Sequence, residues 1–265
     1  MSWHLLKATL YQRRTALLWY SVSLISYSVM ITWYFPLIAD AGLEEMVASL
    51  PKEMIAFFAG TNASIFTLGG FLATEYTGFI WVLIMAAAGI TFAVKSYSSE
   101  VSAGTMELLL SQPISRRSIA ITRSVALAIY LAILTVSTVL PIQVVAAAQD
   151  IAYDAGNLWL FGAVGLLLSL AISGVAMLAA SASRESGKPA GIVGGVLGIM
   201  WILHFLAANA EWAKKLEVVN VFRYWNSAAI IDTGTVAGSA WFVLGGVALV
   251  SLMASVFVFS RRDVT

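Results

Sequence analysis

The stretch "SSEVSAGTMELLLSQPISRRSIA", residues 98–120, holds two glutamates, a glycine, a proline and two arginines between long apolar runs. A polar passage of this length flanked by oil reads as a connection between membrane spans. The rest of the chain agrees: 60% of its 265 residues are hydrophobic, 11% are charged, and the mean hydropathy is +0.88. A soluble domain of this size carries about 25% charged residues. Apolar runs of roughly 20 residues, each able to cross a hydrocarbon core of about 30 Å as a helix, recur six times along the chain. The predicted fold class is therefore all-α, a polytopic membrane protein with six transmembrane helices.

Working outward from the loop, the spans fall at about 17–38, 70–94, 121–146, 158–182, 190–208 and 240–260. No Pro-rich or Ser-rich linker divides them, so residues 1–265 read as a single transmembrane domain. An even number of spans puts both termini on one side, and the excess of Lys and Arg in cytoplasmic loops says which. With the N-terminus inside, the inner segments hold Lys7, Arg13, Arg14, Lys95, Arg116, Arg117, Arg123, Arg184, Lys188, Arg261 and Arg262, which is eleven of fifteen. The outer segments keep only Lys52, Lys214, Lys215 and Arg223, so both termini are expected to be cytoplasmic. The opening residues do not read as a cleavable signal peptide, because their basic residues precede a full-length span.

Three polar segments are long enough to hold structure. In residues 1–16, Trp3, Leu6 and Leu10 begin an apolar stripe that Leu17 continues, with Lys7, Arg13 and Arg14 off it. That pattern predicts an amphipathic helix along the inner interface; the alternative is a plain cytosolic extension of the first span. Residues 43–58 and the aromatic-rich 209–235 are expected to pack on the outer mouth. Pro141, near the outer end of the third span, would kink or terminate it. In the fifth span Gly191 and Gly195 are four apart, as are Gly194 and Gly198, a spacing that lets two helices approach closely. Those glycines serve either packing within the chain or a dimer seam. Glu75 and His204 lie near outer span ends, where hydration at the interface is the first reading for both and an ion or proton site the alternative for Glu75.

The chemistry of the chain excludes several classes. With no cysteine, two isolated histidines and no H-E-x-x-H, a metal catalyst is not expected. There is no G-x-x-x-x-G-K-[ST], so the chain carries no nucleotide site, and no Ser pairs with His and Asp as a nucleophile would need. A net charge of +1 argues against a nucleic-acid partner. The span centres are nearly free of charge, whereas ion-coupled transporters carry ionisable groups at the midplane. No cofactor is expected in the chain itself, and any energy must come from elsewhere.

Residues 98–120 offer the means. A short amphipathic helix is predicted from about Gly104 to Ser111, with Met106, Leu108, Leu109 and Leu110 as apolar cover and Glu107 on the polar side. Pro113 ends it, and Ser115 is placed to cap the next helix, which opens on Arg116 and Arg117. Those two arginines sit at the unfavourable end of the helix dipole, a modest cost that a membrane surface or a protein partner offsets. A short helix held between two span extensions is a lever.

The same residues carry a resemblance. "EVSAGTMELLLSQPISRR", residues 100–117, closely resembles the signature of ABC-2 type permeases, the membrane subunits of ATP-binding-cassette exporters. The matching positions are Glu100, Gly104, Thr105, Glu107, Leu108, Leu109, Ser111, Pro113, Ile114, Ser115 and Arg116, with Arg117 beside them. The resemblance extends to the six-span plan, the basic N-terminal helix and the outer amphipathic segment. It implies that this loop holds a coupling helix that docks on a separate cytoplasmic ATPase subunit, present in two copies, which binds ATP and Mg. It further implies a second permease copy or paralogue, a multi-pass location in the cell membrane (the prokaryotic cytoplasmic membrane), and substrate export between two six-helix bundles. An assembly or mechanical role for the same machinery is the alternative; a secondary transporter or channel fits the charge-poor spans less well.

Overall fold

A computed structural model describes residues 2–39, 66–207 and 210–261. The outer segment expected at 43–58 lies outside the described residues. Among those described, six helices are long and apolar enough to cross a membrane. The first, α1, runs from Trp3 to Ala39 without a break. Its 37 residues rise about 55 Å, well beyond a hydrocarbon core of about 30 Å. The stripe predicted as a separate interfacial helix is thus the continuous first part of α1, as the alternative reading had it. Leu6 and Thr9 are buried there while Trp3 and Tyr11 are exposed.

The second span is built from pieces. A short helix α2 (Leu68–Leu72) leads into a π-helical turn (Ala73–Thr77), and α3 (Ile80–Ser96) completes the crossing. Glu75 stands exposed on the π turn, and its backbone oxygen accepts a hydrogen bond from the Tyr27 hydroxyl at 3.2 Å. Two short helices follow, α4 (Ser98–Ser102) and α5 (Thr105–Leu110). The third span is α6 (Arg116–Ala148), which continues seven residues past Pro141. The proline therefore does not end it. α6 stops instead where Asp150 adopts a left-handed backbone, φ 53°, and Asp154 then caps α7 (Ala155–Ala182) by accepting from the Asn157 N–H at 2.9 Å.

α7 is the central post, packed between α3, α6 and the last span, α11 (Gly238–Arg261), while α1 lies along α6. Close approach at this post depends on missing side chains, as is usual where helices pack in lipid. A Cβ on Gly165 would lie 2.5 Å from the Trp81 ring, and one on Gly89 would overlap the Ser173 hydroxyl. Trp81 fills the space so created. Its ring is fully buried, stacks on Trp225 at 5.5 Å, and donates its N–H to the Thr138 hydroxyl at 2.9 Å.

The fifth span, α8 (Gly187–Ala207), stands at the edge of the bundle and buries only Pro189, Val193 and Ala207. At its far end the aromatic-rich segment folds back as α9 (Glu211–Leu216), two 3-10 turns and α10 (Ser227–Thr233). It packs on that mouth as expected: the Trp225 N–H reaches the Thr77 carbonyl, and Asp232 accepts from the Thr67 hydroxyl and the Gly69 N–H. His204 is not simply hydrated. Its Nδ1 lies 3.0 Å from the Glu217 carboxylate.

Candidate functional site

The loop at 98–120 folds at the opposite end, where α1 begins, α3 ends, α6 begins and α11 ends. Three observations bring these ends together. The Ser2 N–H donates to the Thr122 hydroxyl at 3.2 Å, Arg13 donates to the Lys95 carbonyl at 2.7 Å, and Tyr97 packs its ring 4.9 Å from Phe259. The first and last helices thus share one end of the bundle.

Local sequence explains the loop's shape. Tyr97 leaves helical geometry, so α4 starts at an angle set by the burial of Tyr97 and Ser98. Gly104 then takes a left-handed conformation, φ 71°, with open space where a Cβ would be. Glycine is needed for its backbone and not for room. α5 follows for six residues and ends three residues before Pro113, with the Ser111 N–H on the Glu107 carbonyl and its hydroxyl donating to the Leu108 carbonyl. The predicted helix from Gly104 to Ser111 is thus found as Thr105–Leu110, flanked by those two residues. Ser115 caps α6, accepting from the Ser118 N–H at 3.2 Å, as the sequence implied.

One buried cation holds the loop to the bundle. Arg123, two turns into α6, is only 3% exposed. Its guanidinium pairs with the Glu100 carboxylate of α4, donates to the Ser96 carbonyl at the end of α3, and lies 3.9 Å from the Met106 sulfur of α5. The Tyr97 ring sits 5.3 Å from it. A buried arginine is tolerated only when its charge and its N–H donors are met, and this one is met by the end of α3 and by the two loop helices α4 and α5. Met106, fully buried, is the apolar root of α5.

This root divides the sequence-predicted residues into two groups. Glu100 turns inward to Arg123, Thr105 donates to the Glu100 carbonyl at 3.2 Å, and Leu109 and Ile114 are half-buried against the core. Glu107, Leu108, Ser111, Pro113 and Arg117 face outward, and Leu108 is 71% exposed. Arg116 is half-buried at the start of α6. Three residues essential to the arrangement were not assigned to it from sequence: Arg123, Tyr97 and Arg13. Arg123 had a signal: an arginine among the positions Ile119, Ala120, Ala126 and Leu127 of an apolar helix must have its charge met, and the preceding loop offers two carboxylates, Glu100 and Glu107.

The glycines of α8 have a different setting. A Cβ on Gly191, Gly194, Gly195 or Gly198 would meet nothing within 4 Å. Among the described residues, then, these four glycines make no close helix contact within the chain. No group of three or more metal-ligating side chains is found among the described residues.

Comparison with known proteins bears on the whole chain. No curated protein matches it. The family model described as ABC-2 family transporter protein matches residues 13–264, from the first part of α1 to beyond α11 and through the loop built on Arg123. The chain belongs to the ABC-2 family of transporter membrane proteins.

Proposed function

We propose that this chain is the permease subunit of an exporter powered by a separate ATPase, and that α5 is the helix through which the ATPase acts on it. The carrying observation is the two-sidedness of α5: Glu107 and Leu108 stand free on its outer side while Met106 roots the helix beneath them on Arg123. An exposed leucine is apolar surface that a protein groove covers favourably. A rooted helix also passes displacement on. A push on α5 reaches α6 through Arg123, α3 through the Ser96 carbonyl and α4 through Glu100, in a network with no apolar slack between its members.

The excess of Lys and Arg at this end supports a cytoplasmic side, where ATP and Mg would be handled by two copies of the partner subunit. The open glycine face of α8 supports a second permease copy seated on it, because small residues at four-residue spacing favour close helix pairing in lipid. Closure of the ATPase pair would then drive both α5 levers and shift the two bundles about that seam, opening the path between them for export.

The test is co-purification with the cognate ATPase. Leu108→Asp places a charge on the outer side of α5 without touching Met106 or Arg123. The expected result is normal membrane insertion with at least a tenfold loss of bound ATPase. Unchanged ATPase recovery and unchanged substrate-stimulated hydrolysis would show that α5 is not the docking element. Hydrolysis that no lipid, drug or ion stimulates in the intact complex would favour an assembly role over export.

A further inference from the structure

A cavity of about 460 Å³ opens between the first part of α1 and the loop helices α4 and α5. Its wall carries an uneven charge. Arg13, Lys95, Arg123 and Glu100 all line it, but Arg123 and Glu100 neutralise each other, which leaves Arg13 and Lys95. Arg13 spends one N–H on the Lys95 carbonyl, and its Nε is buried with no hydrogen-bond partner. A guanidinium has five N–H donors in a planar fork suited to phosphate and carboxylate oxygens, and leaving a buried one unmet is costly. Gln12 and Ser99 add polar groups beside it, whereas Leu5 and Leu109 make the wall apolar elsewhere. The site therefore asks for an anion attached to something oily.

Depth agrees with that requirement. Arg13 precedes the expected start of the first span by about one turn, level with the last residues of α3, and the exposed Trp19 lies just above it. Tryptophan at this position marks the headgroup zone. We infer that the cavity is a binding site for the phosphate headgroup of an anionic membrane lipid, with Arg13 and Lys95 as its phosphate ligands and Leu5 and Leu109 against its acyl or glycerol portion. Because Leu109 belongs to α5, a bound lipid clamps the lever against α1. The inference takes from the proposed function only that this end lies at the membrane surface, and its test is made on the permease alone, so it stands or falls apart from ATPase docking.

The test is native mass spectrometry of the purified chain with phosphatidylglycerol and, separately, phosphatidylcholine. Wild-type protein is expected to retain phosphatidylglycerol in preference. Lys95→Gln leaves the backbone carbonyl that holds Arg13 in place, so the fold is preserved, and should weaken retention about fivefold, the worth of one basic side chain at an anionic lipid surface. Arg13→Gln should weaken it further. Arg14→Gln, whose guanidinium lies over the Tyr11 ring at 3.8 Å and outside the cavity, should leave retention unchanged. No preference for phosphatidylglycerol, or an Arg14→Gln loss equal to that of Lys95→Gln, would overturn the site. Full displacement by millimolar inorganic phosphate would overturn its assignment to lipid.

Discussion

Replacing Arg123 by methionine tests the buried anchor of the loop at 98–120. The change keeps most of the side-chain stem and deletes the charge. It leaves the Glu100 carboxylate, 22% exposed, and the buried Ser96 carbonyl without the group that meets them. Removing one member of a fully buried ion pair costs about 3–5 kcal/mol. Partial access of Glu100 to water lowers this, so about 3 kcal/mol is expected. The cost falls on the loop, because every lost bond ties α4, α5 or the end of α3 to α6, whereas α7 and its packing on Trp81 are untouched. Since about 1.4 kcal/mol is tenfold in an equilibrium, local opening of residues 97–112 should become about 100-fold more frequent. Hydrogen exchange read by mass spectrometry resolves such local opening: amides of 97–112 should exchange about 100-fold faster, those of Ala155–Ala182 at the wild-type rate. Pairing the change with Glu100→Gln removes the stranded charge and should recover at least tenfold. Wild-type exchange in the single variant, or a double variant as fast as the single, would refute the claim that this pair anchors the loop.

Other outcomes follow from the same structure. Gly104→Ala forces a Cβ into left-handed backbone at φ 71°, which costs about 1–2 kcal/mol. Exchange at 98–112 should rise about tenfold, and Gly104→Asn, which tolerates that conformation better, should rise less. Gly165→Ala puts a carbon 2.5 Å from the fully buried Trp81 ring. Overpacking of this kind costs about 1–3 kcal/mol and should lower the thermal midpoint in detergent, measured by the Trp fluorescence of the melt. A Cβ at position 194 meets no described residue within 4 Å, so Gly194→Leu should change the monomer's midpoint little. If the open face of α8 is a seam between two permeases, cross-linked dimer yield should fall severalfold in the same variant.

Much of this was readable one segment at a time. Six spans, the short helix before Pro113 and the cap at Ser115 depend on composition and on residues within a turn or two of one another, which is the range over which helix rules act. The errors share the opposite character. The basic stripe at residues 3–17 looked like a separate helix because its amphipathicity is real, yet nothing in it breaks a helix, and α1 runs through. Pro141 had no need to end α6, since a membrane helix can absorb one lost bond. Glycine spacing also drew no attention to Gly89 and Gly165, which sit alone in sequence but face Ser173 and Trp81 from other helices.

Sequence alone determined that this chain lives in a bilayer, with six helices and a polar loop between the second and third. Lipid forces every backbone group to pair within its own segment, so the spans and the loop are local facts, written in runs of neighbouring residues. Only tertiary structure decided what that loop is attached to. Arg123 lies 23 residues from Glu100 and 27 from Ser96, and whether its charge meets them depends on how α3 and α6 pack. That packing rests on glycines and on Trp81, where shape in three dimensions decides which surfaces touch. A buried charge must be met somewhere; the fold chose the loop.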